Sequence, residues 1–120
     1  MKSAAKKLNP GSVRLNTDER YTRLFSTKNG NALSLRSGYV VLKESENIGE
    51  HNTDDSEEIL IILEGKGELL INKSEILDFE KSTALYIPPN TVHDVKNIGK
   101  GLLKYIFVTC PAVQQRQKIE

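Results

Sequence analysis

The 120-residue chain has no tryptophan, one cysteine, one methionine and only two histidines. A lone Cys110 excludes an internal disulfide and removes the main covalent sign of an oxidising compartment. Net charge is also missing: 17 Lys and Arg stand against 16 Asp and Glu, so no overall field favours nucleic acid or an anionic membrane. No window approaches the roughly 18 apolar residues of a membrane span. The opening Met1-Lys2-Ser3-Ala4-Ala5-Lys6-Lys7 has the charge of a signal peptide's first part, yet no apolar stretch follows before Pro10-Gly11. The expectation is a cytoplasmic protein with no nucleic-acid or membrane partner. No stretch holds a helical period over three turns either, which turns attention to strands.

Charge is uneven along the chain. Residues 1–28 carry seven basic and two acidic side chains, whereas residues 44–58 carry seven acidic ones and no Lys or Arg. The plain reading is a basic arm and a solvated acidic loop; the sharper one is an acidic rim that draws cations to a nearby site. Residues 1–20, polar and broken at Pro10-Gly11, read as an arm, residues 21–112 as one barrel domain, and residues 113–120 as a polar tail.

Within the domain the spacing predicts many short strands. Tyr21 to Ser26 is the first, and Asn29-Gly30 signals a hairpin whose returning strand is Ala32 to Leu35. Gly38 to Lys43, Ile59 to Leu63, Glu68 to Asn72, Glu75 to Phe79, Thr83 to Ile87, Val92 to Asn97 and Leu102 to Cys110 follow, separated by Gly, Asn and Pro turns. Such spacing indicates an all-β antiparallel sandwich or barrel. Ile59 to Leu63 is apolar on both faces, so one face belongs to the barrel interior and the other under a second sheet or a partner subunit, a reason to expect a homodimer.

Alternate strand residues share a face. His51 and Thr53 therefore point one way, as do Glu58, Leu60 and Ile62, and as do His93, Val95 and Asn97. If these faces line one barrel, His51, Glu58 and His93 converge, and two imidazoles with one carboxylate suit a divalent transition metal. The plainer alternative is a pair of hydrogen-bonded structural histidines and a solvated glutamate. Leu60, Ile62, Val95, Tyr105 and Phe107 are candidates for core or pocket lining, and Tyr86 for either role. Cys110 reads as a small packed residue, with a reactive thiol as the alternative.

Two segments resemble the paired motifs of the cupin superfamily of small β-barrels. The first runs His51, Asn52, Thr53, four residues, Glu58, six residues, Gly65; the second runs Pro88, Pro89, Asn90, two residues, His93, three residues, Asn97. The likeness departs at Thr53, where cupins place a second histidine, at Ser45 and Ser82, where glycines open each motif, and at Asn90, which replaces a glycine. The resemblance implies a double-stranded β-helix, or jelly roll, with His51, Glu58 and His93 as metal ligands and Thr53 or water as a weak fourth. The implied cofactor is Fe, Zn, Mn or Ni, and the implied partner a small-molecule ligand or substrate. Two functions stay open: a metal-dependent enzyme of dioxygenase or isomerase type, and a non-catalytic small-molecule binder that has lost its metal.

Overall fold

A computed structural model describes residues 7–113. It is all-β apart from one short 3-10 turn, in two antiparallel sheets. The first sheet orders five strands as β1 (Tyr21–Ser26), β2 (Arg36–Leu42), β9 (Leu103–Pro111), β4 (Ser56–Glu64) and β7 (Thr83–Ile87). The second orders four as β3 (His51–Asn52), β8 (Val92–Asn97), β5 (Lys66–Ile71) and β6 (Glu75–Glu80). Their inner faces meet in one core, where Val40, Leu42, Leu60, Ile62, Leu103 and Tyr105 of the first sheet pack toward Leu69, Phe79 and Val95 of the second. Among the described residues no helix is long and apolar enough to cross a membrane. Residues 1–6 and 114–120, which hold the start of the basic arm and nearly all of the polar tail, lie outside the described residues.

The first connection differs from the sequence expectation. Ala32 to Leu35 forms no strand, and β2 begins at Arg36, which pairs with Ser26. The cause is local hydrogen bonding. The Ser26 hydroxyl accepts from the Lys28 N–H, and the Asn31 side chain accepts from the Ser26 N–H and donates to the Leu24 carbonyl. These bonds satisfy the backbone within the turn, and Gly30, at φ 74°, ends the 3-10 turn instead of turning a two-residue hairpin. Cys110 is exposed, not packed, and β9 runs one residue past it to Pro111, which pairs with Ser56.

The end of the barrel remote from the histidines is fastened by two motif residues with no role in ligation. Asn97, fully buried, donates to the carbonyls of Leu42 (3.0 Å) and Gly101 (2.8 Å) and accepts from the Gly99 N–H (2.9 Å). Gly65 sits at φ 96°, and a side chain there would meet the Leu102 carbonyl oxygen at 2.5 Å. Only glycine fits both the turn and the approach of β9.

Ser45, Ser82 and Asn90 all adopt positive φ, at 68°, 65° and 54°. The backbone therefore keeps a glycine-favouring conformation at each position where the motif likeness departs from glycine. A left-handed conformation costs a residue with a Cβ roughly 1–2 kcal/mol, part of which glycine's larger unfolded-state entropy cancels. Ser45 and Ser82 are exposed, so little packing offsets that strain. Ser45→Gly and Ser82→Gly are each expected to raise stability by up to about 1 kcal/mol in urea unfolding. A Ser82→Gly protein no more stable than wild type would show that the turn carries no such strain.

Candidate metal centre and cavity

Strand register lays out the site rung by rung. Across β2, β9 and β4, Arg36 pairs with Thr109 and Thr109 with Glu58. The next inward rung is Gly38, Phe107 and Leu60, and the one below it Val40, Tyr105 and Ile62. On the facing sheet, β3 and β8 set His51 directly opposite His93. Glu58 and His93, 5% and 1% exposed, therefore approach from different sheets, with His51 at the open edge. Their candidate donor atoms lie within 4.8 Å of one another.

Both imidazoles are oriented by the same device. Nδ1 of His51 lies 3.1 Å from the Gly49 carbonyl and Nδ1 of His93 lies 3.1 Å from the Thr91 carbonyl. A carbonyl only accepts, so each Nδ1 carries the hydrogen and each Nε2 holds the free lone pair when the ring is neutral. The rings stand 4.0 Å apart at 63°, edge to face. His93 Nε2 is 3.0 Å from Glu58 Oε1, yet it is buried and makes no directed hydrogen bond. A neutral imidazole lone pair facing a carboxylate at that distance is repulsive, so the contact calls for a cation between them, either a proton or a metal ion. Burial alone would lower the pKa of His93. The Glu58 carboxylate, the Thr91 carbonyl and Asp94 together outweigh it, and the pKa stands above the ordinary 6.5.

Thr53 is placed one step behind the histidine. Its hydroxyl donates to the Pro88 carbonyl at 2.7 Å and accepts from the Thr91 N–H at 3.0 Å. Thr91 in turn orients His93, so the Thr53 oxygen is engaged in fastening the turn that aims the imidazole. On the other flank, Asp94 accepts from Asn47 and from the Gly49 N–H, both at 2.9 Å, and holds the loop whose carbonyl orients His51.

These groups open into a cavity of about 440 Å³, walled by Val40, Ile48, Leu60, Val95, Tyr105 and Phe107. Of the residues singled out in the sequence, Leu60, Val95, Tyr105 and Phe107 face the cavity. Ile62 lies in the core below it, at 1% exposure. Tyr86 points outward and donates to Glu57 at 2.8 Å. Burial first, and then the charges of Glu58 and Asp94, hold the Tyr105 phenol above its ordinary pKa, so it stays a hydrogen-bond donor. The mouth carries Tyr21, Arg36, Asp54 and Asp55; the two aspartates belong to the acidic segment read above as a possible rim, whereas Tyr21 and Arg36 have no place in the site as read from the sequence. Arg36 was hidden because the strand was expected to start at Gly38; an earlier start would have put Arg36, Gly38 and Val40 on one face.

The sequence matches the cupin domain family over residues 38–109. It is 36% identical over 78 residues to an uncharacterized protein of Methanocaldococcus jannaschii, a match covering 65% of this chain and 60% of that one. The match thus spans somewhat under two thirds of that relative's length. Among solved structures, an RmlC-like cupin of M. jannaschii superposes at TM-score 0.71 and 20% identity, covering 88% of this chain and 94% of that one. A cupin protein of Bacteroides fragilis gives 0.73 and 17%, covering 96% and 93%. A predicted oxalate decarboxylase of Thermotoga maritima gives 0.69 and 18%, covering 77% and 79%. At these identities the structures speak for the double-stranded β-helix and the family match for descent. The chain belongs to the cupin family.

Proposed function

We propose that the barrel holds a divalent transition metal on His51, Glu58 and His93 and presents it to a small molecule in the cavity. The supporting observation is the orphaned Nε2 of His93, buried 3.0 Å from the Glu58 carboxylate with its tautomer set by the Thr91 carbonyl. Two imidazoles and one carboxylate fit Fe, Zn, Mn or Ni. Donor atoms about 2.1 Å from a shared ion stand roughly 3 Å apart. The Glu58–His93 separation already matches that spacing, and His51 faces them from the open edge with the three residues' donor atoms within 4.8 Å of one another. When bound, such an ion supplies Lewis-acid or oxygen-activating chemistry. The chain's own residues set its place, keep the walls apolar and leave the Tyr105 phenol as a donor. Dioxygenase-type and isomerase-type reactions both suit a centre with open positions.

A metal-free binder is the competing reading, because a proton on His93 satisfies the same contact. Elemental analysis of protein purified without chelator separates the two. Wild type is expected to carry metal near one ion per chain, with Glu58→Ala and His93→Ala each weakening metal binding by more than about tenfold while circular dichroism stays all-β. Equal metal content in all three proteins would remove Glu58 and His93 as ligands. Oxygen uptake with candidate substrates then sorts the reaction type.

The proton and the ion compete for one nitrogen, which fixes a sign. The folded pKa of His93 is raised. In chelated protein its contribution to stability is therefore fully present below about pH 6.5 and fades as pH rises through the folded value. Metal affinity should rise over the same window as the proton leaves. Chelated wild type is expected to lose more stability between about pH 6 and about pH 8 than Glu58→Gln does. Parallel pH profiles for the two proteins would show that the contact is not coupled to a proton.

We also propose a homodimer through the outer face of β4. Ile59 and Leu63 are 41% and 42% exposed in the single chain, and Tyr86 beside them is 56% exposed. Such an apolar stripe suits burial under a second copy or an exchanged N-terminal arm. Light scattering at micromolar concentration should give twice the chain mass, and Ile59→Lys should reduce it to the monomer. A monomeric wild type would leave this face without the proposed partner.

A further inference from the structure

The mouth of the cavity carries a feature that the metal centre does not use. Arg36 is exposed at the cavity edge, and it takes part in none of the ion pairs among the described residues. It stands in the same rung as Glu58, two strands away across Thr109. Adjacent strands are about 4.8 Å apart, so the two backbones are separated by roughly 10 Å. One rung below Arg36, over Gly38 of the same strand, lies an aromatic shelf. Tyr21 and Phe107 stack at 6.1 Å and 12°, and Gly38 lies beneath both rings. A Cβ on Gly38 would strike the Tyr21 ring and would meet Phe107 at 2.6 Å, so the missing side chain is what lets the shelf form.

Asp54 and Asp55 also border the mouth, and they bear on the sign of any ligand. They stand on the turn before β4, with the Asp55 carbonyl bonded to the Ala112 N–H just past the end of β9, so that β9 separates them from Arg36. The cationic and acidic groups thus occupy different sides of the opening. Arg36, without an ion-pair partner among the described residues, presents a fork of N–H donors suited to a carboxylate.

We propose that the cavity takes a small organic acid. The carboxylate pairs with Arg36, and a planar or aliphatic body of a few carbon atoms lies over the Tyr21–Phe107 shelf toward the centre. This assignment rests on the cavity being the ligand site, as proposed above, but its anchor is separate from the metal ligands. The apolar walls and the 440 Å³ volume favour an acid with an apolar body over a bare dianion.

The test uses defined probes: phenylacetate, hexanoate and benzoate, each paired with its neutral amide. Binding is followed by NMR titration of wild type, Arg36→Gln and Arg36→Lys, in chelator and again with added Zn(II). In wild type the best acid is expected to bind at least about tenfold tighter than its amide, with the preference weakened by salt. Arg36→Gln should erase that preference and leave amide binding unchanged, and Arg36→Lys should restore part of it. A preference that depends on Arg36 with or without Zn(II) supports the assignment even if no metal is held. Several results overturn it: acids and amides that bind alike, no binding by any probe, or an acid preference intact in Arg36→Gln. If that preference in Arg36→Gln also requires Zn(II), the ion is the anchor; the metal centre then stands and Arg36 is excluded.

Discussion

Burying a carboxylate costs several kcal/mol unless charge or hydrogen bonds compensate it, and Glu58 is buried with His93 as its neighbour from the opposite sheet. That contact sets much of what surrounds it. Because Nδ1 of His93 is committed to the Thr91 carbonyl, the facing nitrogen must hold a proton or accept an ion. The two sheets are therefore drawn together at the open end by a contact that needs a cation. At the other end Asn97 ties β8 to the end of β2 and to the loop before β9, and Gly65 lets the turn after β4 approach β9, all through uncharged contacts that need none. The barrel has one end closed by packing and one end open at a buried contact that calls for a cation.

The orienting groups lie on the backbone, which ties site geometry to strand pairing. Each histidine bonds the carbonyl two residues before it, and the two rings face each other because β3 and β8 pair His51 with His93. A strand slip of one residue would send both rings to the other face. Thr53 extends this logic. Where an imidazole stands in the motif, the threonine oxygen holds the Thr91 N–H and the Pro88 carbonyl, so the loss of one donor is accompanied by a firmer aim for another.

Period-two alternation made the inner faces of β4 and β8 readable in the sequence, since Glu58, Leu60, Ile62, His93, Val95 and Asn97 are all buried. Motif spacing identified the glycine and asparagine positions, but not that Gly65 and Asn97 act through packing and hydrogen bonds instead of ligation. The start of β2 was not readable, because the side chains of Ser26 and Asn31 absorb backbone groups that a hairpin would have used. That local competition displaced the strand boundary and concealed Arg36. The aromatic shelf was hidden for a different reason: Tyr21 and Phe107 meet only because β1, β2 and β9 are neighbours, a pairing between distant segments that no local window reports.

The centre and the mouth are built from largely separate strands. His51, Glu58 and His93 come from β3, β4 and β8, whereas Tyr21, Arg36, Gly38 and Phe107 come from β1, β2 and β9. Because Tyr21, Arg36 and Gly38 stand on β1 and β2, which pair with neither β4 nor β8, substitutions there can change what enters with little effect on the Glu58–His93 contact. Fold-level likeness at 17–20% identity therefore carries the barrel and leaves the ligand open. On the proposed reading, selectivity falls on β2, where Arg36, which joins no ion pair among the described residues, and the absent side chain of Gly38 border the opening. A carbon added at Gly38 would break the shelf, and a neutral group at position 36 would take away the positive charge that Arg36 brings to the mouth.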